Sequence, residues 1–153
     1  TVSDINKNIT DVTKITSTTS MFDNNVEVTR YIRTLEVLED DQAKVKNDTY
    51  VLSNVYELDL KETNTTLDKI DHSKLFSLNL NNKLVSNVKE DGNKITCTIT
   101  EDNFNKVFNG SKLNVTGDST LEIVMNNKKV QSVNCNLTLS TGKTVTISIV
   151  YEY

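Results

Sequence analysis

At 153 residues the chain fits one domain, long enough for an ordinary hydrophobic core without staples. Its 36% hydrophobic and 25% charged residues describe a globular protein, and a net charge of −4 without a basic run argues against nucleic acid or an anionic membrane as main partner. No apolar run reaches the roughly 20 residues of a membrane span, so the membrane enters only through an N-terminal anchor outside this sequence.

Taken in order, residues 1–20 place Val2, Ile5, Ile9, Val12 and then Ile15 or Thr16 at spacings of three and four, a narrow stripe along an N-terminal helix that Ser3 would cap. Threonines and β-branched residues weaken that helix, so it must pack its stripe on something else; the rival reading is a strand from Thr10 onward. From residue 26 to 153 the signals are those of an antiparallel sheet. Asp23-Asn24-Asn25 is a turn, Val26 to Leu38 a long strand, and Glu39-Asp40-Asp41 closes a hairpin into Ala43 and Val45. Tyr50, Leu52, Tyr56, Leu58 and Leu60 read as a further strand interrupted at Asn54, and residues 61–74, without a sustained period, as a connection.

Residues 77–88, SLNLNNKLVSNV, align without gaps on 122–133, EIVMNNKKVQSV, which predicts one Asn-Asn-Lys hairpin built twice, by duplication or by convergence of Asn-rich turns. Asp91-Gly92-Asn93 turns into a strand carrying Ile95, Cys97 and Ile99. A short helix is expected near 101–109, where Phe104, Val107 and Phe108 share one side, acidic residues precede them and Gly110 supplies the stop. Core packing and the mouth of a ligand cavity are both open roles for the two phenylalanines.

The last 35 or so residues set the register. Val133, Cys135, Leu137 and Leu139 alternate with polar residues, as do Val145, Ile147, Ile149, Tyr151 and Tyr153. A three-residue turn at Ser140-Thr141-Gly142, with glycine left-handed, pairs Leu137 with Val145, Cys135 with Ile147 and Val133 with Ile149 on one face. The preceding turn at Asn126-Asn127 pairs Ile123 with Val130 and then sets Leu121 against Ser132, so a β-bulge is expected near Gln131 and Ser132.

The inventory of reactive groups is thin. His72 is the single histidine and reads as a loop residue, because Asp71, His72 and Ser73 are sequence neighbours whose side chains diverge. Cys97 and Cys135 sit in apolar rows and read as inert thiols one strand apart, although an exported location would permit a disulfide. Zinc spacing is missing, and the acidic triplets 39–41 and 101–103 lack the alternation of a calcium loop. No phosphate loop or dinucleotide fingerprint occurs, so no metal or cofactor is expected and the chain reads as a non-enzyme, with a hydrolase ranking third.

The fold class is therefore mainly β with some helix: a curved antiparallel sheet or half-barrel of meander hairpins, a single domain over 1–153. An N-terminal helix, long antiparallel strands and the closing LEIVMNNKKVQSVNCNLTLSTGKTVTISIVYEY resemble the LolA-like and LppX-like bacterial lipoprotein folds. That resemblance implies a half-barrel sheet that wraps a helix and an apolar cavity receiving lipid chains, and an extracellular or cell-surface location. Lysine-rich, Asn- and Thr-rich composition without proline or tryptophan agrees with an AT-rich bacterial genome. The first expectation is an exported or lipid-anchored domain binding a lipid or other apolar small molecule. Its lining would come from Ile5, Ile9, Val12, Phe104, Phe108, Leu121, Ile123, Val133, Leu137, Ile147 and Ile149, residues that equally describe a core. The alternative is a cell-surface module with a solid core that contacts another surface protein through an edge strand or loops.

Overall fold

The computed structural model describes residues 5, 9, 11–76 and 78–153. Nine strands, β1 (Lys14–Asp23), β2 (Val26–Val37), β3 (Gln42–Leu52), β4 (Leu58–Lys69), β5 (Ser86–Asp91), β6 (Lys94–Ile99), β7 (Val115–Asn126), β8 (Lys129–Leu139) and β9 (Thr144–Glu152), form one antiparallel sheet. Their order is β4-β3-β2-β1-β9-β8-β7-β6-β5. Every pair of sequence neighbours is hydrogen-bonded except β4 and β5, and the first and last strands pair with each other. This is the connectivity of an up-and-down barrel with one seam left open, and the sheet is not closed.

The C-terminal register follows from the alternation. Val133 faces Ile149, Cys135 faces Ile147 and Leu137 faces Val145, with Gly142 at φ +89 in the turn. The bulge falls at Gln131, which is left between the pairs Met125–Val130 and Val124–Ser132. The turn itself sits one residue later than expected: Asn127 and Lys128 carry the positive φ angles, so Ile123 meets Val133 and Leu121 meets Cys135. A long side chain in the left-handed region costs less here than a register that would turn apolar residues away from the core.

Other expectations need correction. The helix expected over residues 1–20 gives way from Lys14 to strand β1, the alternative reading, and residues 1–4, 6–8 and 10 lie outside the described part. The run Thr16 to Ser20 is rich in β-branched side chains, and β2 and β9 offer it backbone partners on both sides. The strand read across Tyr50 to Leu60 is two strands: Tyr50 and Leu52 end β3, Leu58 and Leu60 begin β4, and residues 53–57 turn between them. Residues 61–69, read as connection, continue β4, a strand whose polar side chains on both faces leave no periodic signal. The supposed first copy of the Asn-Asn-Lys hairpin is not a hairpin. Leu78 makes an isolated bridge to Phe108, Leu80 and Val85 are buried, and β5 begins only at Ser86.

The expected short helix is α1 (Phe104–Val107), with Phe104 and Val107 fully buried and the Phe104 and Phe108 rings stacked at 4.8 Å. Together with Phe76, Leu78, Leu80 and Val85 and the buried Ile5, Ile9 and Val12, Phe104 and Val107 belong to the hydrophobic cluster against the sheet. Cross-strand rows define that face. One runs Asn64–Asn47–Arg33–Ser17–Ile149–Val133–Ile123–Ile95, and the next Glu62–Thr49–Tyr31–Thr19–Ile147–Cys135–Leu121–Cys97. Both rows are apolar across β6–β9 and polar across β1–β4. The next row, Thr66–Val45–Leu35–Ile15–Tyr151, stays apolar and buried as far as Val45, so the polar wing is the part of β2–β4 nearer the β3–β4 turn.

Candidate functional site

The eleven residues expected to line a cavity are all buried, from fully enclosed Phe104, Ile123 and Val133 to Phe108 at the margin, and belong to one packed cluster. Burial in that cluster is common to a packed core and to the wall of an enclosed cavity. Two of them also reach surface depressions. Leu121 contributes to a polar hollow of about 620 Å³ between β5, β6, β7 and β8, whose other residues include Lys89, Thr96, Glu122, Asn134 and Asn136. Ile149 contributes to a hollow of about 410 Å³ where the cover ends over the middle of the sheet.

That second hollow joins core to wing. Ile15, Leu35 and Ile149 come from β1, β2 and β9, and Leu75, just after a 3₁₀ turn at His72–Lys74, completes its apolar lining. Ser17, Arg33 and Lys74 add polar groups, and neither cation has an ion-pair partner among the described residues. The result is an apolar recess carrying two uncompensated positive charges. A third hollow, of about 420 Å³, is lined by Asn126, Asn127, Lys129, Gln131, Tyr151 and Tyr153. There Lys129 pairs with Asp11 and lies 4.8 Å from the Tyr153 ring centre, so its charge is already engaged.

The wing is held differently. Apart from Leu58, every residue of β4 is exposed, and polar side chains are tied across the strands. The Tyr31 hydroxyl donates to Asn47 Oδ1 at 2.8 Å, and Asn47 Nδ2 donates to Asn64 Oδ1 at 3.1 Å. The Thr63 hydroxyl, on the opposite face, donates to Asp48 Oδ1 at 2.5 Å. Among the described residues, seven of the ten exposed large hydrophobics nevertheless fall between Val26 and Leu67, so apolar exposure concentrates on the same part of the molecule.

Its peak is the β3–β4 turn. Ser53 N–H donates to the Glu57 carbonyl at 2.7 Å and Tyr56 N–H to the Ser53 carbonyl at 3.1 Å, while the Ser53 hydroxyl oxygen accepts from the N–H groups of Val55 and Glu57. This ring of bonds presents Val55 and Tyr56 with 71% and 83% of their surface in solvent. Tyr56 adopts φ +59. Among the described residues, six of the eight non-glycine positions with positive φ are Asn or Asp, which tolerate that region, whereas Tyr56 is the one aromatic among them. The tip was not legible as a site because Tyr56, in an apolar series with Leu52 and Leu58, reads as strand.

The reactive groups are quiet. Burial, reinforced by the neighbouring Cys97, pushes the Cys135 thiol up to about 12, and burial also raises Cys97; both are free thiols. Cys97 and Cys135 each face Leu121, so one strand separates them. His72 Nε2 lies 3.1 Å from Asp41 Oδ1 in a partly exposed pair. Burial raises the Tyr151 hydroxyl, and that oxygen is enclosed without a hydrogen-bond partner. Among the described residues no group of three His, Cys, Asp or Glu side chains is placed to hold a metal, and no helix is long and apolar enough to cross a membrane.

No family model and no curated protein matches the chain. Among solved structures, it is similar to a redesigned β-barrel bound to DFHBI, at 7% identity over 95% of this chain and 97% of that one, with a TM-score of 0.28. The dehydratase domain from the CurF module of curacin polyketide synthase is similar at 9% identity over 93% of this chain and 75% of that one, with a TM-score of 0.27. At these scores neither neighbour carries an argument about fold or activity.

Proposed function

We propose that the chain is a non-enzymatic interaction module of a bacterial cell surface, with a solid core and a working surface on the wing formed by β2, β3 and β4. The observation that carries this is the β3–β4 tip, where a bonded turn holds Val55 and Tyr56 out in solvent and Tyr56 in a backbone conformation unfavourable to its side chain. Such strain at an exposed aromatic has no use within the monomer, and tyrosine is among the residues that anchor protein interfaces. The lipoprotein resemblance and the Asn-, Thr- and Lys-rich composition support the compartment. The test is a photo-cross-linking amino acid placed at position 56 in cells of the native host. A discrete adduct is expected there and not from the same probe at Asp91, on the opposite edge of the sheet; equal labelling from both positions, or from neither, overturns the reading.

The 410 Å³ hollow favours a second reading, in which the domain holds a small amphiphile with an apolar body and an anionic head. Its volume lies within the roughly 300–1,000 Å³ of small-molecule sites, and Arg33 and Lys74 supply charge beside Ile15, Leu35, Leu75 and Ile149. Native mass spectrometry of protein purified from its own organism should then reveal a bound anionic lipid, lost in the Arg33→Glu/Lys74→Glu double variant. Ligand-free protein would sink this second reading.

A further inference from the structure

Resting on the interaction reading, we infer that the wing tip of one copy docks into the 410 Å³ hollow of another, a head-to-tail contact between identical chains. The two surfaces are complementary in charge, and both are apolar at the centre. The tip is a convex pair of apolar side chains, Val55 and Tyr56, followed by Glu57 and Asp59, which carry no ion pair among the described residues. The hollow is an apolar recess of Ile15, Leu35, Leu75 and Ile149 carrying Arg33 and Lys74, also without ion-pair partners. Acidic convexity meets basic concavity, so each copy supplies what the other lacks.

The contact is intermolecular because the two surfaces lie toward opposite ends of the wing. Val51, last but one in β3 before the tip, pairs with Thr29 of β2, whereas the hollow is lined by Arg33 and Leu35 of that same strand. At about 3.3 Å per residue, Thr29 and Leu35 are about 20 Å apart, and the tip projects further still. A patch that binds a different patch on the next copy does not close on itself as a two-fold dimer does, so it propagates as a filament or closes only in a ring. Few residues take part, which places the affinity in the weak class, with a Kd on the order of 100 µM.

Sedimentation velocity on the purified chain over a concentration series up to roughly 1 mM tests this. Wild-type protein should show a weight-average mass that climbs past the dimer. Tyr56→Gly removes the tip anchor and frees the backbone, and Arg33→Glu reverses the charge at the hollow; each variant alone should stay monomeric, with circular dichroism verifying its fold. Mixed in equal amounts, the tip-deficient and hollow-deficient variants retain one working surface each, so they should form a dimer and nothing larger. Wild-type protein that remains monomeric, or assembly that survives in either single variant, overturns the head-to-tail contact. A tip cross-link to a different surface protein in cells, alongside a monomeric purified chain, would overturn it while leaving the broader interaction reading intact.

Discussion

Replacing Tyr56 by glycine should make the monomer more stable, not less. The left-handed backbone costs an ordinary side chain roughly 1–2 kcal/mol, and Tyr56 adopts it at φ +59. Against that relief stands the larger conformational entropy that a glycine loses on folding, about 0.5–1 kcal/mol. Loss of packing adds little because the side chain is 83% exposed. The Ser53-centred bonds use main-chain groups that glycine retains. The net gain is about 0–1.5 kcal/mol, and at roughly 2–4 °C per kcal/mol for a chain of this size Tm should hold or rise by up to about 6 °C. The measurement is a thermal melt followed by circular dichroism at low micromolar concentration, where weak self-association does not contribute. A fall of several degrees would refute the reasoning, since it would mean that the ring is supported by contacts and the conformation carries no strain to release. Tyr56→Asn provides an internal check, because asparagine tolerates the same region with less entropy to lose.

Phe104→Ala should destabilise the fold by about 3–5 kcal/mol in urea unfolding, since the ring is fully buried and stacked on Phe108; a loss under about 1 kcal/mol would mean that the region collapses to fill the space. Gly142→Ala forces a Cβ into φ +89 at the β8–β9 turn and should cost about 1–2 kcal/mol, read as a lower urea midpoint with an unchanged slope. Raised folded-state values of Cys135, to about 12, and of Cys97 mean that thiol stability is complete below the unfolded value near 9 and is lost as pH rises toward 12. Tyr153, also raised to about 12, acts with the same sign above about 10. Urea midpoints should therefore drop between about pH 9 and 11, and native protein at pH 8 should resist thiol reagents until it unfolds; flat midpoints or rapid labelling would contradict this.

Legibility in the sequence tracked burial. From Val133 to Tyr151 one face of each strand is buried, so apolar residues alternate and the β9 partner of Val133 or Cys135 can be named from the turn length, whereas the β7 partners were displaced when the turn fell at Asn127-Lys128. Even the Gln131 bulge could be placed, because it was the one adjustment that kept Val130 and Val133 on useful faces. The wing gave no such constraint. Thr63, Asn64, Thr65 and Thr66 are exposed in β4 whichever face they occupy, so pattern cannot separate that strand from a loop. The turn before β4 was missed for the related reason that its exposed apolar residues, Val55 and Tyr56, mimic the buried ones of a strand. The echo between 77–88 and 122–133 misled in the opposite way: Leu78, Leu80 and Val85 are buried, but as cover over the sheet, so the shared pattern records burial without recording pairing.

The two halves of the sheet also imply different jobs. The β6–β9 half shares its hydrophobic cluster with Phe104 and Val107 of α1, with Phe76, Leu78, Leu80 and Val85, and with Ile5, Ile9 and Val12, and a part so packed is expected to open late. In the wing, Leu35, Ala43 and Val45 tie one end of β2 and β3 into the core, while toward the β3–β4 turn the ladders rest on backbone pairing and on polar cross-ties that contribute about 0.5–1.5 kcal/mol each. That outer part of the sheet adds little to the core. What it supplies is reach: β3 and β4, of 11 and 12 residues, extend from the buried Ala43 and Val45 and carry the Val55-Tyr56 turn out as an arm beyond the covered part of the sheet. Strain at Tyr56 is then tolerable, because about 1–2 kcal/mol at the end of the arm is stored where few other contacts depend on it. An arm with polar sides, an apolar tip and acidic residues behind it is built to meet a recess that is apolar and basic, and the place where the core ends, at Leu35, Ile149 and Arg33, has that character.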